Sequence, residues 1–205
     1  YFVSGDYLNQ EAYFKAVDYE RFSLRANIEV KPNDKLTAGI NISPSYSVGN
    51  DPGVEGKDQI LHVTVGMPPL TESAVGLDIN VGENGQLTYG NSRNSPIRRL
   101  ENKIGEEKIS RTLATVYGEY EVITGLKVRS SVNLDNTDQR KKSYTPAFVS
   151  GKTPSSRIAG GSFSGYNRQT FVNENIVSYD KTILENHTFS AVAGVSYSMN
   201  KFDTF

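Results

Sequence analysis

Histidine and cysteine, the residues most often used for nucleophilic catalysis and transition-metal binding, are scarce in this sequence. The 205-residue chain has two histidines, His62 and His187, and no cysteine. A zinc site draws several such ligands together, and a serine hydrolase needs a histidine held between a serine and a carboxylate. Neither histidine lies in a recognisable motif of that kind. We therefore predict no catalytic site, metal site or cofactor, and expect that the chain is not an enzyme.

Oxygen ligands show one weak pattern. Asp78, Asn80 and the pair Asn84-Gly85 resemble part of a calcium-binding loop. Gly82 and Glu83 break the order of oxygen ligands and turn glycine that such a loop requires. No metal ligand is therefore assigned, and calcium binding by the loops stays an open question.

Acidic and aromatic residues are the side chains that could cleave or bind sugars. The acidic residues cluster or alternate as on a solvated face, so no glycosidase pair can be singled out: they are Glu106, Glu107, Glu119 and Glu121. Four aromatic residues lie in polar stretches, where they could stack on sugar rings or pack loops together: Tyr89, Tyr144, Phe148 and Phe163. Substrate-binding residues are therefore unassigned.

Charge and hydropathy exclude two classes of protein. The 22 basic and 23 acidic residues nearly cancel, so there is no electrostatic footprint for nucleic acid. No apolar stretch reaches the roughly 18 to 20 residues of a membrane-spanning helix. A transmembrane β-strand needs only about 9 to 11 alternating residues, so low mean hydropathy is compatible with a membrane β-barrel.

Period-two alternation predicts antiparallel β-strands along most of the chain. Phe22 to Val30 and Leu36 to Tyr46 form a first hairpin around Lys31–Lys35, and a second hairpin turns at Thr124-Gly125. The face of the strand near Tyr166 to Tyr179 stays unresolved, because Phe171 falls on one face while Val172 and Ile176 fall on the other. The predicted strands, about seven in number, are Tyr1 to Leu8, Phe22 to Val30, Leu36 to Tyr46, Thr112 to Val122, Leu126 to Leu134, Tyr166 to Tyr179 and His187 to Met199.

The connections alternate in length. Two long polar segments, about residues 47–108 and 136–165, separate short turns, and the second contains the pair Gly160-Gly161. Compact soluble domains rarely contain several unstructured loops well beyond about 15 residues. Short periplasmic turns and long extracellular loops are typical of transmembrane barrels. We predict an all-β fold, a partial wall of a transmembrane β-barrel of antiparallel strands with these segments as extracellular loops.

Charged residues indicate which face meets lipid. Arg25, Glu29, Lys127 and Arg129 alternate with apolar residues. An arginine turned into lipid near the midplane costs about 2–4 kcal/mol, whereas one in a watery lumen costs little. The apolar faces are therefore expected to point outward and these four residues into the lumen. A soluble β-sandwich that binds glycan at the cell surface, or an adhesin, remains the alternative, because its strands also alternate.

Several short motifs, in order along nearly the whole chain, resemble the SusC/RagA branch of TonB-dependent outer-membrane transporters. One departure is the serine that splits the usual Asn-Pro pair between Asn94 and Pro96. The motifs that carry the resemblance are Tyr1 to Tyr7, Tyr19 to Asn27, Leu36 to Ser45, Asn94 to Leu100, Tyr117 to Tyr120, Gly125 to Val128, and Glu185 to His187 leading to Gly194.

The resemblance implies that the chain is an internal segment of a longer barrel, because that family has many more strands and an N-terminal plug domain with a coupling motif. It implies import of oligosaccharides or peptides across the bacterial outer membrane. The implied partners are the TonB energy-coupling complex, acting through the missing plug, a SusD-like lipoprotein lid, and outer-membrane lipid. We accordingly expect residues 1–205 to form one segment of a barrel domain.

Overall fold

The computed structural model describes residues 1–54, 60–65, 80–81, 87–88, 100, 102–146, 158–183 and 187–205. Its long strands are β1 (Phe2–Glu11), β2 (Asp18–Asn33), β3 (Leu36–Asn50), β6 (Ile104–Ile123), β7 (Leu126–Thr145), β8 (Gly160–Ile183) and β9 (His187–Thr204). Between β3 and β6 lie a six-residue helix, α1 (Ile60–Val65), and two short strands, β4 (Asn80–Val81) and β5 (Leu87–Thr88). None of the described helical residues forms a segment long and apolar enough to cross a bilayer.

The seven long strands form one sheet in which every strand pairs antiparallel with the next long strand along the chain. The order is β1-β2-β3-β6-β7-β8-β9. All short turns therefore lie at one edge, the turn edge, and all longer connections at the other, the loop edge. The prediction of about seven antiparallel strands in an all-β chain is confirmed.

Local chemistry accounts for the two tight turns. Asn33 Oδ1 accepts hydrogen bonds from the backbone N–H of Lys35 (3.0 Å) and Leu36 (2.9 Å), which closes the β2–β3 turn. Gly125 has φ +85° in the β6–β7 turn. A Cβ at Gly125 would also collide with the backbone oxygen of Asp180 on β8, so this position is suited to glycine alone.

The strands run further than the hydrophobic period predicts. The predicted loop segments therefore need new bounds: β3 continues to Asn50, β6 begins at Ile104, β7 continues to Thr145, and β8 begins at Gly160. The extra residues are mostly polar or charged, so alternation is lost there while backbone pairing continues. Gly160 and Gly161 accordingly lie in a strand rather than in a loop.

Cross-strand register sorts the side chains into two faces, because residues opposite each other in an antiparallel pair point the same way. The apolar face has one central row with Ile28, Ile40, Val116 and Val132 directly opposite one another. The unresolved strand, β8, now has a definite parity: Phe171 pairs with Leu134 on the apolar face. Val172 and Ile176 therefore lie on the polar face.

Asn173 and Asn175 are polar residues on the apolar face, so the period-two pattern of the sequence does not show the parity of β8. Asn175 donates from Nδ2 to Asn173 Oδ1 (2.7 Å), and Asn173 donates from Nδ2 to the backbone oxygen of Ser131 (3.0 Å). These bonds satisfy part of the amide polarity within the sheet.

No second layer covers the apolar face among the residues that the structure describes. Ile40 is 39% exposed and Val116 is 52% exposed, although both lie in the middle of the sheet. Val54 is the one large apolar side chain found buried in the described segments. A β-sandwich would bury these central rows against a second sheet. The sandwich alternative is therefore not supported.

The apolar band crosses the strands at a slant. Residues directly opposite one another on successive strands form a register row. The row that starts at Tyr46 on β3 ends at Asp203 on β9. The apolar run of β9 ends four residues before Asp203, at Met199. The row of Leu36 likewise reaches β9 four residues after Phe189, where that run begins. Between β3 and β9, which are four strand steps apart, each margin shifts by four residues, an average of one residue per strand.

This slant gives the tilt of the strands. One residue of about 3.4 Å per strand spacing of about 4.8 Å corresponds to about 35°, and membrane barrels have tilts of about 35–45°. From Leu36 to Tyr46 the band then rises about 28 Å along the membrane normal, close to the roughly 25 Å apolar band of transmembrane barrels. The sheet has the geometry of a barrel wall.

Candidate functional site: the polar face of the wall

The four charged residues predicted to share the polar face do lie on it. Arg25 and Glu29 are on β2, and Lys127 and Arg129 are on β7, all with the parity opposite to the apolar rows. Arg25 lies further from the turn edge than the other three. In a barrel wall whose apolar face meets lipid, this polar face lines the interior.

A charged cluster lies on this face near the turn edge. Tyr117 donates its hydroxyl to Glu29 Oε2 (2.7 Å), and the guanidinium of Arg129 lies 4.3 Å from the centroid of the Tyr117 ring. Arg129 and Lys127 are 3.8 and 3.9 Å from the carboxylate of Glu119. These side chains link β2, β6 and β7, and the Tyr117–Glu29 bond reaches across β3, which separates β2 from β6 in the backbone ladder.

Tyr117 was not singled out from the sequence, yet it is the centre of this cluster. Its ring lies over Gly39 on β3, where a Cβ would collide with the ring and the hydroxyl. The backbone of Gly39 leaves the space that the tyrosine fills. Gly39 and Tyr117 lie directly opposite each other in the β3–β6 register. Both residues are visible in the sequence, but only the register shows that they are neighbours.

A second group of charges lies nearer the loop edge. Arg111 donates from Nε to Asp135 Oδ1 (3.1 Å) and from Nη2 to Oδ2 (2.9 Å), a bidentate pair between β6 and β7. Arg168 on β8 lies opposite Thr137, which is two residues along β7 from Asp135 and on the same face. The neighbouring Tyr166 packs against Phe202, with ring centroids 5.4 Å apart.

At the loop edge itself, the strand ends and the start of the β3–β6 connection form a cavity of about 480 Å³. Most of its charged side chains already have partners. Lys141 lies 3.2 Å from Glu107, which also accepts a hydrogen bond from Gln139. Asn50 donates to Asp18 (2.7 Å). The cavity is therefore a structured rim and offers no evident set of free ligands.

The histidines and the remaining candidate ligands lie on separate elements or outside the described residues. His62 lies in α1 and His187 opens β9, on different elements. Within the described segments, no group of three or more His, Asp or Glu side chains is placed to hold a metal ion. Asn80 lies in β4. Several candidates lie outside the described residues: Asp78, Gly82, Glu83, Asn84, Gly85, Tyr89, Asn94, Pro96 and Phe148.

The aromatic and acidic candidates that the structure describes lie on strands. Tyr144 is on β7 and Phe163 on β8, both close to the loop edge. Phe163 stacks on Phe205 with centroids 5.7 Å apart, so part of its surface is used within the wall. Glu106 pairs with Lys108 at 3.0 Å.

The chain is similar to curated proteins of one kind. It is 26% identical over 205 residues to TonB-dependent receptor P26 of Formosa agariphila and 23% identical over 204 residues to TonB-dependent receptor P3 of the same organism. These matches cover 96% of this chain but 19% and 20% of the two relatives. The chain thus spans about a fifth of their length. No family model matches the chain.

Solved structures show the same fold. The RagAB peptide importer in the closed-closed state matches 98% of this chain and 23% of its own, with a TM-score of 0.68 and 20% identity. The open-open state of that importer matches 92% of this chain and 21% of its own, with a TM-score of 0.67 and 18% identity. The predicted resemblance to TonB-dependent transporters and the predicted barrel wall are both confirmed.

Proposed function

We propose that this chain is part of the barrel wall of a TonB-dependent nutrient importer in the bacterial outer membrane. The importer would take up oligosaccharides or peptides through a lumen lined by the polar face. The wall would contribute passage and selectivity without catalysing a reaction. The energy for import would come from the TonB complex, coupled through a plug domain elsewhere in the protein. A SusD-like lipoprotein would cover the barrel mouth.

The observation that carries this proposal is the slanted, uncovered apolar band. A soluble protein rarely leaves a contiguous apolar surface of this extent in water, since the largest patch on a typical monomer is about 300–600 Å². A bilayer covers such a band and explains its slope and its height together. The similarity to TonB-dependent receptors supports the same class of protein.

The sidedness follows from the connections. Outer-membrane barrels have short turns on the periplasmic side and long loops outside. The turn edge, with Asn33 and Gly125, would therefore face the periplasm. The segments at about 47–108 and 136–165 would face the exterior. The outer parts of β3, β6, β7 and β8 would form the bases of these segments. Solute selection and contact with the lid would reside there and on the upper polar face.

Protease accessibility in intact cells tests this arrangement. One variant of the full-length protein carries a protease site inserted after Thr153, and a matched variant carries it in the turn at Thr124. External protease should cleave only the first variant in intact cells and both after the outer membrane is opened. Cleavage of the Thr124 variant in intact cells would reverse the proposed orientation.

Import itself needs a second measurement. Deleting the gene in its native bacterium should abolish uptake of at least one labelled oligosaccharide or peptide mixture, and an uncoupler should abolish the same uptake in the parent strain. Unchanged uptake of every mixture would contradict a role in import, even if the orientation test succeeded.

A further inference from the structure

Five side chains on the polar face lie in one register row that crosses the sheet near its loop edge. The row runs over five strands in the order Ser45, Arg111, Thr137, Arg168 and Phe202. Neighbouring strands are about 4.8 Å apart, so the two arginines start about 9.6 Å from each other, on either side of Thr137. The row therefore combines two guanidinium groups, a buried hydroxyl between them and an aromatic ring at one end.

The charges of this row do not balance. Arg111 is held by Asp135 in the bidentate pair. Arg168 makes no ion pair with any residue in the part of the chain that the structure describes, although it is close enough to act electrostatically on Asp135. Two arginines thus share one carboxylate, which leaves one positive charge on this part of the wall.

Thr137 gives a second, independent observation that points to an anion at this row. Its side chain is on the same face between the two arginines, the residue is 5% exposed, and its Oγ1 has no hydrogen-bond partner among the residues that the structure describes. Buried hydroxyl groups nearly always have a partner, and leaving one without is unfavourable. Arginine side chains only donate hydrogen bonds, so a bound anion could accept from the guanidinium groups and from this hydroxyl at once.

We propose that the row Arg111, Thr137 and Arg168 binds a carboxylate of an acidic oligosaccharide as it passes along the wall. This inference rests on the proposed function and names its substrate class. The planar guanidinium group matches a carboxylate in a bidentate arrangement. Phe202 is directly opposite Arg168 and is 61% exposed, so its ring offers an apolar surface on which a sugar ring can stack.

The same residues favour a sugar acid over a peptide terminus. A peptide that presents its ammonium and carboxylate ends needs a carboxylate on the protein as well as a guanidinium. Asp135 is the acidic residue nearest the row, and Arg111 already occupies both of its oxygens. The row is therefore suited to a solute that carries negative charge and flat apolar faces.

Binding to the full-length protein in detergent tests the proposal. The probes are tri-galacturonate and tri-mannuronate, with fully methyl-esterified tri-galacturonate as the neutral comparison and a triglutamate peptide as the competing class. At least one uronate should bind, more weakly as salt rises, and the ester should bind more weakly than its acid. Binding of triglutamate without either uronate, or of neither class, would overturn the proposal.

Two variants locate the site, with one control. Arg168→Gln should weaken uronate binding by about tenfold to 150-fold, the loss expected for hydrogen bonds to a charged group. Lys201 is next to Phe202 in the chain but lies on the opposite face of the sheet, where it pairs with Asp203 at 3.1 Å. The control variant Lys201→Gln removes the same charge and should leave binding unchanged. Equal effects of the two substitutions would show that binding depends on net charge alone, and would overturn the assignment of the site to this row.

Thr137→Val separates a binding role from a structural one. A purely structural hydroxyl without a partner can be removed at no loss of stability and with no effect on binding, whereas the proposal requires weaker uronate binding by an equally stable barrel. Barrel assembly is checked for every variant by heat-dependent mobility in gels. Failure to assemble as a membrane barrel would contradict the proposed function, whereas an assembled wild-type barrel that binds no uronate would contradict this inference alone.

Discussion

Ile40→Arg should damage assembly of the barrel far more than Asn41→Arg, although the two positions are adjacent. Ile40 lies on the apolar face, four residues from Leu36 and six from Tyr46. With a rise of about 3.4 Å and a tilt of about 35°, it is about 11 Å and 17 Å from the two margins of the band. It therefore lies near the middle of the bilayer.

The size of the effect follows from that depth. An arginine facing lipid near the midplane of a β-barrel costs about 2–4 kcal/mol, which corresponds to a change of roughly 30- to 900-fold in the folding equilibrium. Asn41 is on the polar face, where its guanidinium replacement would remain in water at little cost. Both variants add one positive charge and a side chain of the same size, so their difference reports the face alone.

The assay is urea-dependent folding of the full-length protein into lipid vesicles, followed by heat-dependent gel mobility. We expect a fall of about 2–4 kcal/mol in folding free energy for Ile40→Arg and a change within about 0.5 kcal/mol for Asn41→Arg. Equal tolerance of both substitutions would refute the assignment of the apolar face to lipid. A larger loss of folding free energy for Asn41→Arg would show that the two faces are assigned the wrong way round.

Two further predictions concern close backbone contacts. Gly125→Ala should destabilise the folded barrel by about 1–3 kcal/mol, because the turn needs a positive φ and a Cβ would meet the backbone of Asp180. Gly118→Ala is the control, since a Cβ there meets nothing within 4 Å; similar urea midpoints would contradict this reasoning. Gly39→Ala should cost about 1–3 kcal/mol in the parent protein and little in a Tyr117→Ala background, because the cost comes from displacing that ring. A double-mutant cycle of vesicle folding that shows no coupling would exclude this packing.

The strands of the apolar band could be predicted from the sequence because a wall with one apolar and one polar face requires a strict alternation. Ile28 and Ile40 lie in runs where every second residue is apolar, and this pattern predicts the inner parts of β2 and β3. The alternation also separates polar-face residues such as Glu29 from apolar-face residues such as Ile28. The sequence alone could not choose between a bilayer and a second sheet, since either can cover the same apolar face.

Two features resisted prediction for physical reasons. Above the bilayer, the backbone ladder continues without any demand on side-chain polarity, so residues such as Arg140 looked like a loop although they are paired in a strand. On β8, Asn173 and Asn175 occupy the apolar face by bonding to each other and to the sheet, which hid the parity of the strand.

The arginine row could not be read from the sequence either. Arg111 and Thr137 lie at or beyond the predicted strand ends, and Arg168 lies in the strand of unresolved parity. Their proximity depends on the register of three strands, which a period-two pattern does not set. The bidentate bond between Arg111 and Asp135 likewise joins residues 24 positions apart.

Site-directed spin labelling along β3 tests most directly whether the apolar face contacts acyl chains. Single labels are placed in turn at residues 36 to 46 of the full-length protein in vesicles, and collisions with oxygen and with a water-soluble nickel complex are measured. We expect even-numbered positions to be accessible to oxygen, with the most at 40 and 42, and odd-numbered positions to be accessible to nickel. Protection of the even-numbered positions from both reagents would show that protein, and not lipid, covers this face.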